Sequence, residues 1–91
     1  NISGVFEART GSMEQVDKKD YYDIVISNLI YDEIVKLFDD FMTALKPGGR
    51  MILSGILDNQ KNQLTGFIEK RTSADMEIMQ QNEWLCFILR T

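Results

Sequence analysis

The sequence predicts an α/β fold built on part of a doubly wound sheet, and three observations indicate it. Residues 24–26 and 51–53 are short runs of consecutive apolar side chains, which are typical of parallel strands covered on both faces. Residues 32–45 lie between these runs and show helical spacing. The last 16 residues contain two further apolar strands around a polar turn, which predicts a C-terminal antiparallel hairpin.

The first two strands differ in character. Residues 5–10 alternate apolar and polar side chains before Gly11 and Ser12 break the pattern, which predicts a short strand that ends in a loop. Residues 15–21 form a charged connector. The next strand, over residues 24–27, begins with three consecutive β-branched residues and is therefore expected to lie in the middle of the sheet.

The first helix is predicted over residues 32–45. Its apolar stripe consists of Ile34, Leu37, Phe38, Phe41 and Leu45, and charged residues fill the opposite face. Acidic residues in its first turn suit the positive end of the helix dipole. Pro47 cannot continue a helix, and the glycines that follow are expected to supply a left-handed cap.

A second, weaker helix is predicted over residues 60–71, with Asp58 or Asn59 as its N-cap. Gly66 lies within it and costs about 1 kcal/mol relative to alanine. Strands over residues 76–79 and 84–89 complete the prediction, and the second is apolar enough to be interior to the sheet.

Composition excludes several classes of function. A net charge of -4 and a pI of about 4.6 argue against direct binding of nucleic acid, which requires clustered Lys and Arg. The chain contains no histidine and one cysteine, Cys86, so no metal site is expected. A single cysteine in an apolar strand, without a membrane span or signal peptide, favours a reducing compartment, and a cytoplasmic location is expected.

Three motifs in this order carry a resemblance to a known family. They are YDIVISNLI at residues 22–30, LKPGGRMILSGIL at residues 45–57 and NEWLCFIL at residues 82–89. This pattern resembles the C-terminal half of class I S-adenosylmethionine-dependent methyltransferases. It is most similar to the ribosomal protein L11 methyltransferase family, and the similarity covers the whole chain.

The resemblance implies a partial Rossmann-like methyltransferase sheet, mostly parallel with a C-terminal antiparallel hairpin. The family's strand order is 3-2-1-4-5-7-6, and residues 1–91 would supply strands 3, 4, 5, 6 and 7. The Gly-rich strand 1 and strand 2 would be absent, and the chain contains no Gly-x-Gly triplet. We therefore expect the C-terminal part of a methyltransferase catalytic domain, a fragment that begins just before the third strand.

This topology predicts a gap in the isolated chain. Strands over residues 5–10 and 24–27 would be separated by two absent strands, at about 4.8 Å per strand step. The edge of residues 24–27 would then be unpaired and apolar, and such an edge pairs readily with another chain. Self-association of the fragment is expected.

The implied activity is that of a transferase that methylates nitrogen, with S-adenosyl-L-methionine as its cofactor. In the family the acceptors are amines of a large-subunit ribosomal protein. Methyl transfer to a neutral amine needs mainly in-line positioning of donor and acceptor, which suits a site without histidine. Because the cofactor site would be incomplete in this chain, the fragment alone is expected to be inactive.

Asn28 is the main candidate for both catalysis and cofactor binding. It follows a central strand, at the edge where open α/β sheets bind ligands. Its amide can hold the amino acid portion of the cofactor or orient an attacking amine. The alternative is that Asn28 merely caps the turn into the next helix.

The remaining candidates flank the strand ends. Gly11, Ser12 and Met13 are candidates for cofactor binding, although Ser12 stands where relatives often have Asp and a loop without ligand is the competing interpretation. The substrate-binding candidates are Leu29, Ile30, Ser54 and Gly55; for the last two a simple bend is the alternative.

Other conspicuous residues have structural interpretations. Trp84 and the methionines are expected in the core, and the acidic residues of the first helix form a solvated face. Two other functions stay open at this stage. One is a small non-catalytic α/β module that associates through an exposed strand edge, and the other is half of a different nucleotide-binding domain such as a reductase.

Overall fold

The computed structural model describes residues 4–9 and 19–91. Five strands form one sheet: β1 (Val5–Arg9), β2 (Tyr22–Asn28), β3 (Leu45–Leu57), β4 (Asp75–Gln81) and β5 (Trp84–Arg90). Helix α1 (Tyr31–Ala44) joins β2 to β3. A short 3-10 turn (Asp58–Gln60) and helix α2 (Lys61–Glu69) join β3 to β4.

The strand order across the sheet is β1-β2-β3-β5-β4. The first three strands are parallel to one another, whereas β5 is antiparallel to both β3 and β4. The mostly parallel sheet with an antiparallel C-terminal hairpin is therefore confirmed. Strand β5 lies inside the sheet, as its nearly continuous apolar sequence predicts.

The prediction of a gap in the sheet beside β2 is wrong. Strand β1 pairs directly with β2, from Val5 opposite Ile24 to Arg9 opposite Asn28. Among the described residues no other strand is available for that edge of β2. Pairing with β1 satisfies backbone N–H and C=O groups that would otherwise be left at an apolar edge.

One face of the sheet carries the core. Both helices pack on it, with α1 contributing Phe38 and Phe41 and α2 contributing Leu64 and Ile68, all fully buried. Strand residues such as Leu53 complete this cluster. The opposite face has no helix from the described residues, and its central row consists of the half-buried side chains Ile26, Ile52 and Ile88.

Two predicted helix caps are corrected. Leu45 is the C-cap of α1: its backbone is extended, and its N–H donates the last helical hydrogen bond to the Phe41 carbonyl. Gly48 does have a φ of +84°, but it lies further along, where residues 46–49 bulge out of the pairing between β2 and β3. At α2 the N-cap is Gln60, and its side chain accepts a hydrogen bond from the backbone N–H of Leu57 at 3.1 Å.

No helix in the described ranges has the length and apolarity needed to cross a lipid bilayer.

Candidate functional site

The parallel strands end together at one edge of the sheet. Asn28, the last residue of β2, lies opposite Arg9 of β1 on one side and Ser54 of β3 on the other. The same row continues through Cys86 of β5 to Met79 of β4. Because register partners point to the same face of a sheet, the side chains of Ser54, Cys86 and Met79 lie on the same face as that of Asn28.

An open cleft of about 690 Å³ lies at this edge. One wall consists of Asn28, Ser54 and Gly55, at the carboxyl ends of β2 and β3. The other wall comes from the β4–β5 hairpin, through residues 79–81 and 84–86. Three of the predicted site residues therefore meet in one cavity.

The backbone around Asn28 is fixed by its neighbours in sequence. Ser54 Oγ donates a hydrogen bond of 3.2 Å to the Ser27 carbonyl, which links the ends of β2 and β3. On the other side of Asn28, Leu29 is only 4% exposed and belongs to the core. Asn28 itself is exposed at the cleft between these two anchored residues.

The interpretation of Asn28 as a helix cap does not match the structure. The N-cap position of α1 is Ile30, and no side chain forms a capping hydrogen bond there. Asn28 lies two residues earlier, at the end of β2. Helix capping therefore does not explain why an asparagine lies at this position.

The other predicted site residues are distributed differently. The Leu29 side chain lies in the core, which leaves only its backbone near the cleft. Ile30 is 55% exposed but is not part of the cleft lining. Gly11, Ser12 and Met13, the predicted cofactor contacts, lie outside the described residues.

The hairpin wall of the cleft was not predicted from the sequence. Trp84 is 49% exposed and Met79 is 54% exposed, so the expectation that both belong to the core is wrong. Both side chains lie on the face opposite the helices: Met79 pairs with Cys86 of the Asn28 row, and Trp84 lies two residues before Cys86 in β5. A hairpin that runs antiparallel to β3 brings its turn to the carboxyl edge of the parallel strands, and this signal could have identified them.

The cleft is uncharged. None of the described residues that line it carries a formal charge at neutral pH, and the polar groups are amides and hydroxyls. Cys86 is the one ionisable group among them, and burial raises the pKa of its thiol above the ordinary value. The described lining therefore offers hydrogen-bonding groups to a ligand but no ion-pair partner.

Comparison with known proteins gives the family. The model of the ribosomal protein L11 methyltransferase (PrmA) family matches residues 3–91. The chain belongs to this family. Among curated members, the ribosomal protein L11 methyltransferase of Campylobacter concisus is 37% identical over 84 residues, and that of Nitratiruptor sp. is 34% identical over 84 residues.

A solved structure supports the fold of this ribosomal protein L11 methyltransferase family member. The crystal structure of the ribosomal protein L11 methylase from Lactobacillus delbrueckii subsp. bulgaricus matches with a TM-score of 0.71 at 21% identity, over 82% of this chain and 38% of that one. The two curated relatives match 89% and 92% of this chain. In each case the chain spans only 28% of the relative's length.

Proposed function

We propose that this chain is part of an S-adenosylmethionine-dependent protein N-methyltransferase that acts on amines of a large-subunit ribosomal protein in the cytoplasm. The single observation that carries the proposal is Asn28, at the carboxyl end of a parallel strand and in the wall of an uncharged cleft. Membership of the family, and the names of its curated members, support the same activity.

The Asn28 amide is suited to orient an amine acceptor. Its carbonyl oxygen can accept a hydrogen bond from the amine, while its NH2 group can donate to a carboxylate or carbonyl oxygen of the cofactor. S-adenosylmethionine, when bound, supplies the methyl group on a sulfonium. The barrier then depends chiefly on the distance and alignment of donor and acceptor, and a fixed amide at the strand end contributes to both.

The uncharged lining bears on the protonation state of the acceptor. Only the neutral amine has the lone pair that attacks the methyl group. The described lining of the cleft has no carboxylate that would stabilise the ammonium form of the acceptor. Trp84 and Met79, both exposed at the opposite wall, offer an apolar surface for the carbon chain that carries the amine.

This chain contributes only part of the cofactor site in the proposal. Asn28 is the contact that the described residues can provide, and Gly11, Ser12 and Met13 remain candidates for a second contact. The Gly-rich turn that would hold the rest of the cofactor against a helix N-terminus has no counterpart in residues 1–91. We therefore expect the 91-residue chain alone to bind no cofactor and to transfer no methyl group.

The decisive experiment is a graft into a complete relative. The matching segment of the Campylobacter concisus methyltransferase is replaced by this chain, and transfer of a radiolabelled methyl group from S-adenosylmethionine to purified ribosomal protein L11 is measured. The graft is expected to be active. Asn28→Ala in the graft should lower kcat/KM on the order of 100-fold, as loss of a positioning group does. Asn62→Ala, at an exposed asparagine of α2, is the matched control and should leave activity unchanged.

A second, smaller graft guards against misfolding. It transfers only residues 26–31 and 54–57, which carry the strand-end wall of the cleft. If the full graft and the smaller graft are both folded by circular dichroism and both are inactive, the proposal is overturned. Calorimetry on the isolated chain tests the expected incompleteness of the site, since micromolar affinity for S-adenosylmethionine would contradict it.

A further inference from the structure

Gly55 occupies an irregular position in β3. Ser54 pairs with Cys86 of β5 and Ile56 pairs with Leu85, so Gly55 falls in a bulge between two consecutive partners. Its φ is +87°, a conformation that residues with a side chain rarely adopt. Bulges of this kind are common next to active sites, where they redirect a neighbouring side chain.

The absence of a side chain at Gly55 makes room for Asn28. A Cβ atom at this position would lie 2.8 Å from Asn28 Oδ1 and 3.0 Å from the Leu29 carbonyl oxygen. Carbon and oxygen atoms do not approach to 2.8 Å in unstrained packing, so one of the groups would have to move. The Asn28 amide therefore occupies space that only glycine leaves open.

The surroundings decide which group would move. The backbone of Leu29 is held by its core side chain and by the start of α1. The preceding residue, Ser27, is bonded to Ser54 Oγ through its carbonyl. The exposed Asn28 side chain is therefore the group that moves, because rotation about its own bonds relieves the contact without a backbone shift.

We propose that Gly55 is a positioning residue, which fixes the orientation of the Asn28 amide at the cleft and does not itself contact substrate. This inference rests on the proposed function. Any side chain at position 55 turns the amide away from the place where it meets the acceptor or the cofactor. The reaction then loses alignment while the cleft itself stays intact, so kcat falls more than KM rises.

Gly48 supplies a matched control for the test. Its φ of +84° is nearly that of Gly55, but no atom lies within 4 Å of the Cβ that an alanine would add. Gly48→Ala and Gly55→Ala therefore share the backbone strain and differ in the contacts with Asn28 and with the Leu29 carbonyl. In the active graft, Gly55→Ala should lower kcat at least about tenfold relative to Gly48→Ala, with KM changed less than about threefold.

A double-mutant cycle with Asn28→Ala separates positioning from a general structural effect. If Gly55 acts through the Asn28 amide, Gly55→Ala causes no further loss of kcat once that amide is removed. Gly48→Ala should have the same small effect in both backgrounds. Equal kcat values for the two glycine variants, or an undiminished loss in the Asn28→Ala background, would overturn the inference.

Two further outcomes also test the inference: a Gly55→Ala variant that does not fold, and an unsubstituted graft that is inactive. If Gly55→Ala alone does not fold, the double variant Asn28→Ala, Gly55→Ala should fold, because the 2.8 Å contact is gone. Failure of both variants would mean that the positive φ or the Leu29 carbonyl is the obstacle, and that the inference is wrong. If the unsubstituted graft is inactive, the proposed function fails and the inference is tested on the 91-residue chain. There the side-chain amide NMR signals of Asn28 should shift in Gly55→Ala and stay in place in Gly48→Ala; unchanged signals in both would contradict it.

Discussion

Ser54 Oγ donates a hydrogen bond to the carbonyl oxygen of Ser27 at 3.2 Å, across the ends of two parallel strands. The bond lies next to Asn28 in β2 and next to Gly55 in β3. It therefore anchors the backbone from which the proposed functional amide projects. The same Ser54 faces the cleft, so one residue contributes both to stability and to the shape of the site.

Ser54→Ala tests this link. Loss of one partly buried hydrogen bond should lower the free energy of unfolding by about 0.5–1.5 kcal/mol, since the Ser27 carbonyl loses a donor. Urea unfolding of the chain measures the change. Ser73→Ala, at an exposed serine for which the described residues show no side-chain hydrogen bond, is the control and should change stability by less than about 0.5 kcal/mol. Equal effects would mean that the Ser54 bond is not formed in solution.

Trp84→Ala tests the hairpin wall of the cleft. If the acceptor's carbon chain packs on the indole, the graft should show a KM for ribosomal protein L11 raised about tenfold, which corresponds to about 1.4 kcal/mol of lost contact. Its kcat should change less. Tyr21→Ala removes an aromatic ring of similar exposure at the opposite end of β2 and should leave KM unchanged. An unaltered KM in Trp84→Ala would place the acceptor elsewhere.

Cys86 gives a prediction about pH. Burial raises the pKa of its thiol, so at a given alkaline pH a smaller fraction is thiolate in the folded chain than in the unfolded one. Alkylation by iodoacetamide should therefore be slower in native buffer than in denaturant, and its rate should reach half-maximum at higher pH. The folded state retains the proton longer, so this group's contribution to stability is present below the unfolded pKa and is lost as pH rises through the folded value. Identical pH profiles for the two states would contradict the effect.

Self-association of the chain remains a prediction, although its basis has changed. The edge of β2 is covered by β1, and among the described residues β1 pairs with no strand on its other side. The outer edge of β1 is therefore the template for a second copy. Sedimentation at micromolar concentration should detect species heavier than the 10.5 kDa monomer.

Variants can locate this association. Val5→Lys places a charge on β1 and should shift the chain towards monomer, as charged side chains do on natural edge strands. Val35→Lys, at a half-buried valine of α1, is the matched control and should leave association unchanged. A chain that sediments as a monomer without either substitution would show that the β1 edge is not used.

Much of the fold could be predicted from local patterns, because each pattern reports its own element. Helix α1 was predicted over residues 32–45 and spans Tyr31–Ala44, since its apolar stripe needs no information beyond its own spacing. The consecutive apolar residues of β5 likewise predicted an interior strand. The position of β1 was wrong because it depends on which strands are present to compete for the edge of β2, and no pattern within β1 records that.

The candidate site, like the fold, could be predicted only in part from the sequence. The sequence by itself determined the elements, the Asn28 position at the end of a parallel strand and the family to which its motifs belong, because these follow from side-chain periodicity and short motifs. Only the tertiary structure decided that Trp84 and Met79 face the cleft and that Gly55 leaves space for the Asn28 amide. Those relationships arise from strand register and from the close approach of Asn28 and Gly55, which are 27 positions apart in the sequence. Excluded volume decides which side chains fit at such an approach, and the local sequence does not encode it.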